Sequence, residues 1–220
     1  MTIKYFKIFG ERHTGTNAVS VFLRENFNLS LHGYDFLGWK HRLAPKSEEL
    51  DDLDIADTLF VFCFRHPFSW LKSMHKEPYS NHYPKLKELD FIDFISAQIE
   101  DYRNVITLWN EKNQSYLDMS KEIDKSICIN VEDFFNKQEH IHNELCEIIG
   151  TQKNFIRFDS YVNGRGLHTD QKISESLMTP SLNKEEIQVI NSFLSKELLT
   201  SLNYEAVSYT HLTLPTIVSV

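Results

Sequence analysis

No apolar run in this 220-residue chain is long enough to cross a bilayer: the longest, Thr58–Phe64, falls far short of the roughly 20 residues a spanning helix needs. The first ten residues lack the apolar stretch and small-residue cleavage site of a secretory signal. Cysteine is scarce. Cys63, Cys128 and Cys146 cannot all pair with one another, and none sits in a C-x-x-C, so reduced thiols in a cytoplasmic protein are expected and a zinc site is not. Basic charge is in deficit, 23 Lys and Arg against 31 Asp and Glu, for a net charge of −8. That disfavours nucleic-acid binding, which needs a basic surface, yet it leaves room for a small basic pocket holding one anion. Internal repeats and low-complexity segments are absent too, and the length suits one domain.

Charge disappears altogether from Val207 to Val220, in a chain that is otherwise a quarter charged. This stretch resembles the in-frame translation of a transposon-derived sequencing adapter. The expected organisation is therefore a single domain over residues 1–206 followed by an artefactual tail.

What is present alternates between strand-like and helix-like runs. Ile3–Phe9 reads as a strand, Glu11–Gly15 as a tight loop, and Asn17–Asn26 as a helix with Val19, Phe22 and Leu23 on one face. Leu29–Tyr34 is a candidate second strand, followed by the turn Gly38-Trp39-Lys40-His41. Thr58–Phe64 (TLFVFCF) is continuous enough for a strand buried on both faces, and Pro67 suits the first turn of the helix after it. One long amphipathic helix is predicted over Asp90–Trp109, a strand over Ser126–Val131 and a helix over Glu132–Ile149. Asn183 and Glu186 form a capping box that opens a final helix, with Ile187, Ile190, Phe193, Leu194 and Leu198 inward. Polar Asp159–Thr179 reads as a loop or lid, and the acidic run from Glu48 to Asp52 as a solvated helix face. The expected fold class is α/β: a three-layer open parallel sheet with helices on both faces and a P-loop-like strand-loop-helix at the N-terminus.

Ligands in such folds bind outside the carboxyl ends of the strands. Three basic clusters fall at such ends: Arg12-His13, Lys40-His41-Arg42 and Arg65-His66. The loop Gly10-Glu11-Arg12-His13-Thr14-Gly15-Thr16-Asn17 can turn backbone N–H groups inward at a helix N-terminus, with Thr14, Thr16 and Asn17 adding side-chain donors. It lacks the Gly-Lys-Ser/Thr of an NTPase, so the magnesium-binding hydroxyl and its lysine are missing. Arg65-His66-Pro67 is followed by Ser73, a fork and a hydroxyl that can meet on one phosphate. The remaining histidines, His32, His75, His82, His140, His142 and His168, form no ligand-spaced set, and no metal is expected.

Together the two motifs resemble the sulfotransferase family, in a divergent, bacterial-like form. That family has a loop of the form Lys/Arg-Ser-Gly-Thr-Thr, matched here by His13-Thr14-Gly15-Thr16-Asn17, and an Arg-x-Pro-x-x-x-x-x-Ser segment, matched by Arg65, Pro67 and Ser73. Asn130-Val131-Glu132-Asp133-Phe134 after a strand and the closing Leu202-Asn203-Tyr204 extend the likeness over most of residues 3–206, and Gly164-Arg165-Gly166 is a faint echo of a late phosphate segment. The loop lysine or arginine is replaced by His13 with Arg12 before it, and Ala18 stands where several members carry an aromatic.

The resemblance implies transfer of a sulfuryl group from 3′-phosphoadenosine 5′-phosphosulfate, without a metal, to a hydroxyl or amine of a glycan or small molecule. It implies donor binding by Arg12, His13, Thr14, Gly15, Thr16, Asn17, Arg65 and Ser73. Family members also place a Lys and a His in a form like Lys-x-His-x-x-Pro, here Lys40-His41 one residue shorter. His41 is the expected base because its ordinary pKa is near neutrality, with Lys40 stabilising the leaving phosphate or binding substrate; His13 and Glu11 are the alternative bases. The competing classes are a P-loop-like nucleotide kinase, which would need magnesium and ATP, and a catalytically silent nucleotide-binding module. Deleting residues 207–220 should leave the melting temperature and donor binding unchanged; a large drop in melting temperature would make the tail a structural element.

Overall fold

The computed structural model describes residues 2–78, 83–163, 166–177 and 181–204. The Val207–Val220 tail, Gly164, Arg165 and His82 lie outside them. At the centre is a sheet of four parallel strands in the order β2-β1-β3-β4, with β1 Tyr5–Phe9, β2 Ser30–Leu31, β3 Thr58–Phe64 and β4 Ser126–Asn130. All seven residues of β3 are buried. Its alternation sorts them between two layers. Phe60, Phe62 and Phe64 face one side with Phe9, and Leu59, Val61 and Cys63 face the other with Phe6 and Ile8. A fully buried side chain of this kind contributes roughly 1.5–3 kcal/mol, so β3 anchors both layers at once.

The second layer is covered by α1 Thr16–Phe27, α5 Val131–Asn136 and α6 Gln138–Ile149, through Val19, Phe22, Phe134 and Leu145 among others. The first is covered by α2 Pro67–Lys76, α3 Phe91–Ser96, α4 Val105–Glu122, α8 Lys184–Phe193 and α9 Lys196–Ser201. The expected three-layer α/β fold is therefore the observed one. Because β1 lies between β2 and β3, the strand order reverses beside it, and the loops after β1 and β3 emerge next to each other.

Four predicted elements are corrected. The single helix over Asp90–Trp109 is two, α3 and α4. The chain leaves helix at Ala97, makes a tight Ile99–Tyr102 bridge with Glu100 at φ 50°, and restarts at Asn104, whose side chain accepts from the Thr107 N–H at 2.8 Å. Glu132–Ile149 likewise breaks at Lys137. The final helix is α8 and α9, divided where Ser195 caps the second, while the Asn183–Glu186 capping box forms as expected. Asp159–Thr179 is no plain loop. It holds the antiparallel hairpin β5 Ser160–Asn163 and β6 Gly166–Thr169 and opens α7 Asp170–Leu177. The acidic run contributes only a 3-10 turn, Ser47–Glu49, with the run solvated as expected.

Asn104 is buried, and its amide oxygen also accepts from the Thr107 hydroxyl. Asn104→Ala should lower folding stability by about 1–2 kcal/mol, read as a shift of the urea midpoint. An unchanged midpoint would show that packing alone starts α4.

Candidate active site

The loop after β1 is shaped by two glycines. A Cβ on Gly10 would lie 2.8 Å from the Cys63 carbonyl of β3, so only glycine lets the loop leave the sheet this closely. Gly15 has φ 78°, and a Cβ there would lie 2.5 Å from the Val131 side chain. Gly15 is also the N-cap of α1, and no side chain caps that helix. The twelve-residue helix therefore presents its first N–H groups, and the positive end of its dipole, to a cavity beside Gly15, Thr16 and Asn17.

That cavity, about 490 Å³, is lined by Arg12, His13, Gly15, Thr16, Asn17, Lys40, His41 and Glu77, and by Tyr161 and His168 of the hairpin. A second cavity of about 320 Å³ shares His13, Gly15, Glu77, Tyr161 and His168 with the first and continues to Arg65, Ser73, Lys76 and Lys172. Ala18, Val131, Phe135 and Ile173 line only the second. The structure thus brings Arg12-His13, Lys40-His41 and Arg65 to one cleft, while Arg42 pairs with Glu49 and His66 caps α2 outside it.

Thr14 is the exception among the loop residues. Its hydroxyl donates to the Glu11 carbonyl at 2.6 Å, its N–H points to the same carbonyl, and its side chain is buried, so it closes the loop and offers no donor to the cavity. Glu11 is corrected too. Its carboxylate is fully buried, 2.6 Å from the Lys112 ammonium of α4, and accepts from the Arg12 N–H. Glu11 lines neither cavity of the cleft, and its carboxylate is turned toward Lys112.

Lys112 also donates to the His41 carbonyl at 2.8 Å. One buried cation therefore spans the loop after β1 and the Lys40–His41 turn. Further side chains hold the same backbone. The Trp70 indole N–H donates to the Arg12 carbonyl, Arg65 Nη1 to the His13 carbonyl, the Trp109 indole N–H to the Arg65 carbonyl, and the Tyr116 hydroxyl to the Arg42 carbonyl. The Gly10 N–H donates to the Lys40 carbonyl at 3.0 Å, and His41 Nδ1–H returns to the Gly10 carbonyl at 2.5 Å.

This last bond fixes the His41 tautomer: with Nδ1 protonated, Nε2 carries the lone pair. Burial, reinforced by Lys40, Lys112 and Arg12, pushes the His41 pKa down to about 3. His13 donates from Nε2 to the Glu77 carbonyl at 2.9 Å, and burial pushes its pKa down to about 4. Both imidazoles are neutral at pH 7, so the loop's charge resides on Arg12. Lys40 donates to Asn17 Oδ1 at 2.6 Å, and burial lowers its pKa. Burial brings Arg65 down to about 10, still charged at neutral pH; its Nε donates to Ser69 Oγ at 3.1 Å.

Sequence reasoning missed Glu77, Tyr161, His168 and Lys172 in the cleft. His168 was set aside with the ordinary histidines, yet it stacks on Tyr161 at 5.0 Å across the hairpin and forms part of both cavities. Only the hairpin pairing reveals it: Tyr161 and His168 are direct partners in the register. Among the other histidines, His32 stacks on Tyr5 and Phe36, His75 bonds the Leu89 carbonyl, and His142 is buried against Phe27.

An open parallel sheet thus carries a glycine loop, an uncapped helix N-terminus and an arginine at the neighbouring strand end along one edge, an α/β arrangement. No family model matches the chain, and no curated protein matches it significantly. Among solved structures, a sulfotransferase from Alicyclobacillus acidocaldarius aligns over 93% of this chain and 98% of its own at TM-score 0.53 and 11% identity. The sulfotransferase domain of the curacin biosynthetic pathway (19% identity, TM-score 0.42) covers 72% of this chain and 57% of its own. That of the Synechococcus PCC 7002 olefin synthase (14%, 0.39) covers 75% and 57%. The chain has a sulfotransferase-like fold.

The two neutral histidines link stability to pH. Their folded pKa values lie below the ordinary 6.5, so the unfolded chain binds more protons between that value and about 4. Stability should fall as pH drops from 7 to 5, by on the order of 1–2 kcal/mol per histidine. The double variant His13→Asn/His41→Asn should show a weaker dependence in urea unfolding at the two pH values. An equal dependence would mean the imidazoles are protonated in the fold.

Proposed function

We propose that the protein transfers a sulfuryl group from 3′-phosphoadenosine 5′-phosphosulfate to an acceptor hydroxyl or amine. The observation that carries this reading is the pair of adjoining cavities. An uncapped helix start with Arg12 and Lys40 lines one, and Arg65 and Ser73 line the other, as an anionic ligand with two separated phosphate groups requires. The apolar side chains of Ala18, Val131, Phe135 and Ile173 give the second cavity the surface to take a base. That arrangement orients the donor. Its 3′-phosphate meets Arg65 and Ser73, and its phosphosulfate lies against Gly15–Asn17 in the first cavity.

The chemistry follows from the charges. The bond between sulfur and the bridging phosphate oxygen breaks as the acceptor atom bonds to sulfur, and the electron pair stays on the phosphate. Arg12, Lys40 and the N–H groups of α1 stabilise that developing charge. His41 Nε2 takes the acceptor proton. Its resting pKa is depressed chiefly by burial, and further by Lys40, Lys112 and Arg12. A bound dianion neutralises those cations and draws the imidazole back toward its ordinary value, so donor binding readies the base. The His41 pKa, followed by NMR, should rise on adding 3′,5′-bisphosphoadenosine; no change would remove His41 from the donor's field.

Calorimetry with 3′,5′-bisphosphoadenosine against ATP, with and without magnesium, separates this reading from a kinase. Metal-independent binding of the bisphosphate is expected, and magnesium-dependent ATP binding in its place would overturn the reading. Arg65→Ala should weaken that binding roughly tenfold to a hundredfold, and Ser73→Ala less. His41→Ala should leave donor affinity near that of the parent and lower turnover on the order of 10²–10⁴-fold. Retained turnover in that variant would move the base elsewhere.

A further inference from the structure

We infer that Lys7 is a positioning residue for the base: from the middle of β1 its buried ammonium holds the loop that delivers the Lys40–His41 turn to the cleft. This rests on the sulfuryl-transfer reading for what the turn does, and names what fixes the turn there. The first observation is a lysine inside the molecule. Lys7 alternates with Tyr5 and Phe9 along one face of β1, and it is 2% exposed. A charge so placed persists only where it is hydrogen-bonded. Its Nζ donates to the Gly33 carbonyl at 2.9 Å and to the Gly38 carbonyl at 2.8 Å.

The second observation is how little the sheet itself does on that side. β2 pairs with β1 over two residues, Tyr5 with Ser30 and Phe6 with Leu31, and the ladder closes with the His32 N–H on the Phe6 carbonyl. Contact resumes where the Gly10 N–H donates to the Lys40 carbonyl. Residues 33–39 cross between those two points as a loop, and its inward carbonyls need donors. Lys7 lies between Phe6 and Gly10 and supplies two of them. The far end of the loop is left-handed, with φ 60° at Leu37 and 74° at Gly38. A leucine keeps that conformation only where its surroundings hold it. Leu37 is packed into the core of the first layer, and the next carbonyl, that of Gly38, is taken by Lys7. Gly38 stands two residues before Lys40 and three before His41. A shift at Gly38 therefore passes directly to the base, whose placement decides whether a proton can be taken.

The grip depends on charge. Burial, reinforced by Arg42 and offset in part by Asp35 of the loop, brings the Lys7 pKa down to about 8. The groups that face it are Asp35, Arg42, which is paired with Glu49, and His32, whose own pKa is lowered by burial and by Lys7. At pH 7 the ammonium is charged and its bonds are of the stronger, charge-assisted kind. As pH rises through about 8 it loses its proton, the bonds weaken, and the turn that carries His41 loosens on the alkaline side.

The test follows the full chain by NMR without ligand. In the parent, the Lys7 Cε and His41 ring signals should titrate together with a midpoint near pH 8. His41 is itself neutral throughout that range, so its ring reports the lysine. The His41 inflection should vanish in Lys7→Met, and also in Lys7→Arg, which stays charged. Hydrogen exchange reads the grip directly. The Gly10 and Arg42 amides, whose bonds to the Lys40 and Trp39 carbonyls close the turn, should exchange roughly tenfold faster in Lys7→Met, the loss of a charge-assisted bond, while the Val19 amide of α1 keeps its rate. Three results would each overturn the proposal: a His41 ring that is flat through pH 8 in the parent, an inflection that persists in either variant, or amides of Gly10, Arg42 and Val19 that quicken equally or not at all. Calorimetric binding of 3′,5′-bisphosphoadenosine by the parent is the separate check. Its failure would overturn the donor reading alone, since the coupling of Lys7 to His41 is read without ligand.

Discussion

The cleft depends on one buried ion pair. Glu11 and Lys112 are 0% and 4% exposed, and their charges have been taken out of water at considerable cost. What the pair provides is connection. Glu11 holds the Arg12 N–H at the start of the loop after β1, and Lys112 holds the carbonyl of His41. The loop after β1 and the Lys40–His41 turn are thus both tied to one helix, α4, through this pair. A hydrophobic pair of equal volume could fill the space. It could not specify where two polar backbone segments sit relative to each other.

The sheet sets the scale on which that pair works. Parallel pairing brings the ends of β1 and β3 to the same edge, and β3 is packed on both faces. The loops that leave this edge inherit its rigidity through short reaches: Trp70 to Arg12, Arg65 to His13, Trp109 to Arg65. In each case a large or charged side chain with little freedom of its own holds a loop carbonyl. Such bonds orient the backbone from outside the loop, while Arg12, Thr16 and Asn17 line the cavity.

Much of this was legible in the sequence, for identifiable reasons. TLFVFCF can only be a strand sealed on both sides, and glycines at 10 and 15 stand where the structure leaves no room for a Cβ. The break between α3 and α4 was not legible, because Ile99, Val105 and Ile106 are buried whether or not the helix is continuous. The hairpin was hidden for the opposite reason: Val162 and Leu167 are exposed, so burial imposes no alternation on it. The Glu11–Lys112 pair joins residues about a hundred positions apart, and nothing local to either marks them as partners. Thr14 looked like a ligand-facing donor because its type suits that task, and only its bond to the Glu11 carbonyl shows otherwise.

Lys40 makes its hydrogen bond to an amide oxygen, Asn17 Oδ1, and not to a carboxylate. An amide orients an ammonium without cancelling its charge. In a chain of net charge −8, the mouth of the cleft therefore keeps a local positive field inside a repelling surround. Under the proposed function, capture of the anionic donor would be a contest between long-range repulsion and short-range attraction. Salt screens the first more strongly than the second, because the wider field acts over distances beyond a Debye length and Lys40 acts within one. Added electrolyte would then quicken encounter up to the point where the local field is itself screened, so that the rate of capture peaks at an intermediate ionic strength.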